Sequence, residues 1–183
     1  SVFRYLRSGY CEFTEDEIDR LENYCLALGI KGYKKWQQAW ARKTKEADEE
    51  EVEKLNHLRV KFVEKIDPLM FVSRQKKKTV LDITLAVYEF IAGEHLQEKL
   101  EQQQKFFAEQ GELTLAKEYE QIYRIVMELF DKFSELLGDE PITLKEYCEL
   151  LDAGFEEAKV GVIPPSIDQV VIGDVERTRM KDI

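Results

Sequence analysis

Apolar residues recur at helical spacing along most of the chain, and this periodicity limits the fold more than any other feature of the sequence. Near the N-terminus, Ile18, Leu21, Cys25 and Leu28 fall on one face of a helix. A broader apolar face, suited to a central helix, recurs in the third quarter of the chain: Tyr119, Ile122, Tyr123, Val126, Phe130, Phe133 and Leu137. The pattern predicts an all-α fold of several helices.

Capping signals predict where two of these helices begin. Thr14 is followed three residues later by Glu17, and Thr143 is followed in the same way by Glu146. In a capping box the threonine hydroxyl accepts from a backbone N–H of the first turn, and the glutamate accepts from the N–H of the threonine. We therefore expect helices to begin after Thr14 and Thr143. In the second of these, we expect Leu144, Tyr147 or Cys148, Leu151 and Phe155 to be buried.

A third helix boundary is predicted at Asp67 and Pro68. Proline is tolerated in the first turn of a helix because the N–H that it lacks would have no partner there. The sequence therefore predicts one helix from about Ala47 to Ile66 and a new helix that starts at Pro68.

The helical pattern stops near residue 160. Pro164 and Pro165 oppose a helix, and the following run "QVVIGDV" has the short apolar form of a buried strand. A single strand leaves its backbone groups unpaired without neighbours. We therefore expect a helical domain over residues 1–160, and a linker with one strand, detached from its parent sheet, over residues 161–183.

The charge of the chain restricts its partners. Its 183 residues carry a formal net charge of −10, whereas affinity for nucleic acids depends largely on cations that neutralise phosphates. A protein that coats nucleic acid is disfavoured, so any such contact must be local. No stretch approaches the length of about 20 apolar residues that spans a bilayer, and we expect a cytoplasmic protein without membrane contact.

Residues with catalytic or metal-binding chemistry form no recognised motif. The sequence contains no GxxxxGK[ST], GxGxxG, GxSxG or HExxH. Cys11, Cys25 and Cys148 include no CxxC pair and are best interpreted as reduced, half-buried thiols; His57 and His95 lack ligands at a repeating spacing. The acidic clusters fit solvated helix N-termini, although a metal-dependent nuclease centre remains a minor alternative.

The segment "GIKGYKKWQQAWARKTK" mixes cations with aromatic rings. Lys34, Lys35 and Arg42 could hold a phosphate backbone while Trp36 stacks on a base or ribose. The alternative is structural: Trp36 and Trp40, four residues apart, would share the buried face of a helix that begins near Tyr33. The second basic run, "RQKKK", is better explained as a helix C-terminus and loop.

The strand, glycine and "ERTR" of "QVVIGDVERTRMKDI" resemble a segment of the AddB family, the B subunits of bacterial AddAB-type ATP-dependent helicase-nucleases. "LDAGFEEAKVGVIPPSIDQV", "VFRYLRSGY" and "LENYCLALGIKGYKKW" resemble the same family in the same order. The similarity covers the whole chain. In the middle helices, the character of the residues matches more than their identities do.

The resemblance implies a superfamily-one architecture in which residues 10–160 form a helical insertion of the second RecA-like domain and residues 168–183 return to its sheet. The place of helicase motif V then lacks the His and the Lys-Gly pair of active relatives, which agrees with a non-hydrolysing motor. The family's iron-sulfur cluster and nuclease metal belong to a C-terminal domain that nothing here matches. No catalytic residue and no cofactor are therefore expected in this chain.

The resemblance predicts a non-catalytic helical module of the B subunit of an ATP-dependent helicase/deoxyribonuclease that acts in DNA end processing and recombinational repair. Its partners would be DNA and the A subunit. The candidate DNA contacts are Lys34, Lys35, Trp36, Arg42, Arg177, Arg179 and Lys181. The alternative is a free-standing helical adaptor that binds protein through an apolar helix face and does not contact DNA.

Overall fold

The computed structural model describes residues 2–162, with side chains up to residue 158. This part of the chain is all α and contains no sheet, as the periodicity predicted. Its helices are α1 (Val2–Leu6), α2 (Glu15–Ala27), α3 (Tyr33–Gln37), α4 (Glu49–Arg74), α5 (Val80–Gly93), α6 (Leu96–Glu109), α7 (Leu113–Leu137) and α8 (Leu144–Val162). The predicted strand and the segment 163–183 lie outside the described residues.

Both predicted capping boxes are confirmed. The Thr14 hydroxyl accepts from the N–H of Glu17 at 3.3 Å, and the Glu17 carboxylate accepts from the N–H of Thr14 at 2.8 Å. The same reciprocal pair joins Thr143 and Glu146, at 3.2 and 2.8 Å. These bonds satisfy backbone donors that have no partner within the helix, and they fix the starts of α2 and α8.

The helix boundary predicted at Pro68 is wrong. Helix α4 is continuous from Glu49 to Arg74 and contains Pro68 in its interior. Proline removes the bond to the Glu64 carbonyl, and Glu64 and Pro68 are both exposed, so water can solvate that carbonyl. The local signal of a helix start is therefore overridden, because proline can be tolerated within a helix where its freed carbonyl is resatisfied.

The first half of the chain is organised around one cluster of buried side chains, here called the N-terminal core. It is drawn from α1 to α4 and the loops between them: Leu6, Phe13, Ile18, Leu21, Tyr24, Cys25, Trp36, Trp40, Ala47, Val52, Leu55 and Phe62. Leu21 is fully buried, and Leu6 and Leu55 are nearly so. Helix α4 forms one side of this core and also packs on α5, so it connects the two halves of the fold.

A second cluster, here called the C-terminal core, lies between α5, α7 and α8. Its buried residues are Val80, Ile83, Leu129, Phe133 and Tyr147. The Tyr147 hydroxyl bonds the Thr84 hydroxyl at 2.9 Å. The start of α5 is tied to the loop between α7 and α8 by backbone bonds, including Val80 N–H to the Glu140 carbonyl at 3.0 Å.

Helix α6, which the sequence predicts to be polar and peripheral, packs mainly along the first half of α7. Leu100 is its buried residue, and Phe107 stacks on Tyr119 with ring centroids 5.2 Å apart. The broad apolar face predicted for α7 is divided accordingly. Its C-terminal half enters the core through Phe130 and Phe133, whereas Ile122 stays 36% exposed.

Candidate nucleic-acid interface

The basic and aromatic segment after α2 is mostly not helical. Helix α3 ends at Gln37, and Gln38 is extended, with ψ 142°. The prediction that Trp36 and Trp40 share one helix face is therefore wrong. Both rings are nevertheless buried, and they meet edge to face with centroids 5.2 Å apart.

Two polar side chains of α4 hold this irregular segment in place. Asn56 accepts from the Trp40 N–H at 2.9 Å and donates to the Trp40 carbonyl at 2.7 Å. Arg59 donates to the Trp36 carbonyl at 2.6 Å and to the Asn56 amide oxygen at 3.0 Å. Extended backbone without a sheet partner needs such substitutes for its missing hydrogen bonds. Asn56 and Arg59, here called the polar clamp, supply them.

Arg59 is 7% exposed and has no carboxylate partner among the described residues. Its guanidinium lies 5.9 Å from the centre of the Trp40 ring. Burial lowers the pKa of Arg59, but arginine remains charged in proteins. The side chain therefore carries a buried positive charge that is stabilised by carbonyl and amide oxygens and by the face of an indole ring.

The aromatic neighbours of Trp36 leave no open face for stacking on a base. Its ring lies 4.9 Å from Phe62 and 6.0 Å from Phe3, centroid to centroid, and the residue is 4% exposed. Of the four candidate contacts in this segment, Trp36 thus lies in the N-terminal core. It fixes the backbone from which the neighbouring lysines extend.

The other candidates of this segment are on the surface. Lys34, Lys35 and Arg42 are all exposed. The Lys35 ammonium donates to the Gly29 carbonyl at 3.1 Å, and the backbone carbonyl of Arg42 accepts from the Tyr24 hydroxyl at 2.7 Å. No ion pair joins these three cations to a carboxylate of the described residues. The candidates Arg177, Arg179 and Lys181 lie outside the described residues.

One face of α3 packs on the last third of α4, an arrangement that sequence reasoning missed. Tyr33 donates to the Asp67 carboxylate, and the Arg74 guanidinium lies 4.5 Å from the centre of the Tyr33 ring. Burial first, and the bond to Asp67 second, raise the pKa of Tyr33 to about 12. This packing brings the segment of Lys34 beside the end of α4.

A shallow cleft opens at this junction, lined by Gln37, Asp67, Phe71, Arg74 and Gln75. The Phe71 ring is 67% exposed, which is a large fraction for an aromatic side chain. Asp67, Phe71 and Arg74 are four and three residues apart, the spacing of one helix face. The predicted helix start at Pro68 hides this spacing, because it places Asp67 outside the helix that carries Phe71 and Arg74.

The described residues offer no metal centre. Within residues 2–162, no group of three or more His, Cys, Asp or Glu side chains is placed to hold a metal ion. Cys25 is buried, Cys11 is half-buried and Cys148 is exposed, so the prediction of half-buried thiols is confirmed for Cys11 and wrong for Cys25 and Cys148. These thiols do not fit an iron-sulfur cluster, which needs several cysteines around one point.

The Cys25 thiol and the Glu94 carboxylate are buried, and the surroundings of both favour a structural role over a chemical one. Burial raises the pKa of Cys25 to about 12, which opposes formation of a reactive thiolate. Glu94 is 5% exposed and accepts from the Lys65 ammonium at 2.7 Å.

In the described part of the chain, no helix combines the length and the apolar character needed to cross a bilayer.

Comparison with known proteins gives consistent matches over the whole chain. No protein-family model matches it. A protein of Lachnoclostridium phytofermentans, named as the B subunit of an ATP-dependent helicase/deoxyribonuclease, is 46% identical over 100% of this chain and 16% of its own length. Proteins of the same name from Clostridium novyi and Alkaliphilus metalliredigens are 41% and 39% identical, again over 100% of this chain. The chain spans only 16% and 17% of these two relatives.

Proposed function

We propose, from the premise that the chain matches a segment of the B subunit family of ATP-dependent helicase/deoxyribonucleases, that it is a non-catalytic helical module that contacts DNA. In this proposal the module belongs to the second RecA-like domain of a superfamily-one helicase fold, and residues 161–183 return to the sheet of that domain. The setting is the cytoplasm, the partner is the A subunit, and the process is end processing in recombinational repair.

The observation that carries the proposal is the placement of Lys34, Lys35 and Arg42. All three are exposed on a segment that the polar clamp and the buried Trp36 hold rigidly. A fixed group of cations without carboxylate partners suits a phosphate backbone, because less side-chain and backbone freedom is lost on binding. Because the chain has a net charge of −10, any contact with DNA must be local. These three cations offer such a local contact.

Salt-dependent DNA binding tests the proposal. The variant Lys34→Glu/Lys35→Glu should bind duplex DNA more weakly than the parent chain, and the slope of log affinity against log salt should fall by about 2. The matched control is Lys117→Glu/Lys132→Glu, which makes the same change of charge at exposed positions of α7. Binding is measured by fluorescence anisotropy across a salt series, with the isolated chain and with the full subunit in its complex.

A loss of affinity confined to the Lys34→Glu/Lys35→Glu variant supports the proposal. Equal losses in both double variants would show that only net charge matters and would overturn the assignment of these residues.

A second candidate function is a protein adaptor, favoured by one observation. Leu81, Leu85 and Tyr88 of α5 are 36%, 51% and 43% exposed, and they are spaced as one helix face. A groove in a partner protein can bind such a face. Loss of partner binding in Leu85→Glu, with DNA binding unchanged, would support this second function.

A further inference from the structure

The cleft between α3 and the end of α4 combines three groups that a nucleotide requires. Phe71 presents an exposed ring, Gln37 and Gln75 present carboxamides, and Arg74 presents a cation. A single exposed apolar side chain is common on protein surfaces, so the ring is informative only together with the groups around it. The polar groups around this ring indicate an occupant that is both flat and hydrogen-bonding.

The charges around the cleft favour an anion beside the ring. The Arg74 guanidinium rests on the Tyr33 ring and forms no ion pair with a carboxylate of the described residues. Lys34 follows Tyr33 in α3 and is exposed, but it does not line the cleft. Lys76 and Lys77 follow the end of α4 and are exposed as well. A phosphate near Arg74 would thus meet one cation in the cleft, with Lys76 and Lys77 close along the chain.

Asp67 is the acidic group that lines the cleft. Its carboxylate accepts from the Tyr33 hydroxyl, which fixes it on the α3 side of the cleft. From that position it can accept further bonds from the amino groups of a base. The cleft therefore offers an acceptor at Asp67 and a cation at Arg74.

We propose that this cleft binds single-stranded DNA, with one base stacked on Phe71 and its phosphate held by Arg74. The substrate class rests on the proposed function. A duplex keeps its bases stacked on one another, so only a single strand offers a base to an exposed ring. Stacking on aromatic rings tolerates any base, and contacts of this site should accordingly depend little on sequence.

The test compares single-stranded and duplex DNA with the 183-residue chain. Fluorescein-labelled oligothymidylate and a labelled duplex are titrated, and binding is followed by anisotropy. Phe71→Ala should weaken binding of the single strand by at least about fivefold, and it should leave duplex binding unchanged. Phe106→Ala is the matched control, since Phe106 is 53% exposed on α6 and lies outside the cleft.

A substitution that keeps an aromatic ring in place of Phe71 provides a direct fluorescence signal of base stacking. Phe71→Trp should retain binding, and the new exposed indole should lose fluorescence when oligothymidylate is added, because a stacked base quenches it. The two native tryptophans are buried and should not respond. Circular dichroism then verifies that each variant keeps the helical fold.

Three outcomes would overturn the inference: no binding of the single strand by the parent chain, equal binding by Phe71→Ala, or unquenched fluorescence in Phe71→Trp. Equal binding by Phe71→Ala, or unquenched fluorescence in Phe71→Trp, leaves the proposed function in place, provided that Lys34→Glu/Lys35→Glu still weakens the binding of duplex DNA. If Lys34→Glu/Lys35→Glu binds duplex DNA as tightly as the parent chain does, while both Phe71 variants behave as expected, only the assignment of the two lysines is overturned. Binding of a protein partner that Phe71→Ala abolishes, without any effect on DNA, would show instead that the ring is a protein contact.

Discussion

The two cores of this molecule are of similar chemistry but are built by different means. The C-terminal core lies between regular helices, and its polar pair, Thr84 and Tyr147, joins two of them. The N-terminal core includes an irregular segment, and it needs a buried arginine and an asparagine to satisfy the backbone of that segment. The difference shows that helices bring their backbone hydrogen bonds with them into a core, whereas a buried loop must have its backbone hydrogen bonds supplied by side chains.

In the proposed function, this difference also separates the roles of the two cores. The exposed cations of the candidate interface extend from the segment that the N-terminal core anchors, and the cleft with Phe71 lies beside it. The buried residues of the C-terminal core do not line the cleft, although this core packs on Val72, which is next to Phe71 in α4. Changes to the two cores should therefore have similar effects on stability and different effects on DNA binding.

The largest effect is expected from Trp36→Ala. Removal of a buried indole should lower the free energy of unfolding by about 3–5 kcal/mol, and it should also loosen the segment of Lys34 and Lys35. The measurements are urea unfolding followed by circular dichroism, and duplex binding at a temperature at which the variant is folded.

The matched control for Trp36→Ala is Phe133→Ala in the C-terminal core. It should be destabilising to a comparable degree, yet the folded variant should keep its affinity for duplex DNA. Equal loss of affinity in both variants would show that the cores do not differ in their support of the interface.

A smaller loss is expected from Asn56→Ala in the polar clamp. The change leaves the N–H and the carbonyl of Trp40 without their partners and removes an acceptor from Arg59. The expected cost is about 2–3 kcal/mol, since buried backbone groups would be left unsatisfied. Tryptophan fluorescence during urea unfolding reports it well, because both tryptophans of the chain lie in the N-terminal core.

Asn56→Asp distinguishes the acceptor role of this side chain from its donor role. The carboxylate keeps an acceptor for the Trp40 N–H and for Arg59 but cannot donate to the Trp40 carbonyl. We expect a smaller loss of stability than in Asn56→Ala. If both variants are as stable as the parent chain, the clamp is not needed to hold the segment.

The sequence predicted the regular helices of both cores better than the irregular segment of the N-terminal core, for a physical reason. Even in α8, Leu144 was predicted to be buried and is 41% exposed. Helical periodicity and capping boxes are local signals, and they located α8 through Thr143 and Glu146. The N-terminal core depends on contacts between distant positions, such as Asn56 with Trp40, which leave no periodic trace. Periodicity thus found the burial of Trp36 and Trp40 but assigned it to a helix that ends at Gln37.

The candidate site shows the same limit. Lys34, Lys35 and Arg42 were found from composition, because cations and aromatic rings are close together in the sequence. Phe71 was missed, since its significance depends on α3 packing against α4 and on a helix that continues through Pro68. Local preferences describe proline at a helix start well, but whether a helix continues past it is decided by tertiary packing.

The smallest effect is expected from Tyr147→Phe in the C-terminal core. Tyr147 is 1% exposed and its hydroxyl bonds only Thr84 among the described residues. The Thr84 hydroxyl also donates to the Val80 carbonyl at 2.8 Å, so it keeps one partner when the phenol oxygen is removed. The ring and its packing on Phe133 remain, and no backbone group loses a bond. We therefore expect a loss of about 1 kcal/mol, measured as the urea midpoint by circular dichroism, and almost none for the control Tyr88→Phe on the surface of α5. A loss as large as that of Asn56→Ala would contradict the comparison, because it would mean that the helical core also depends on its polar pair.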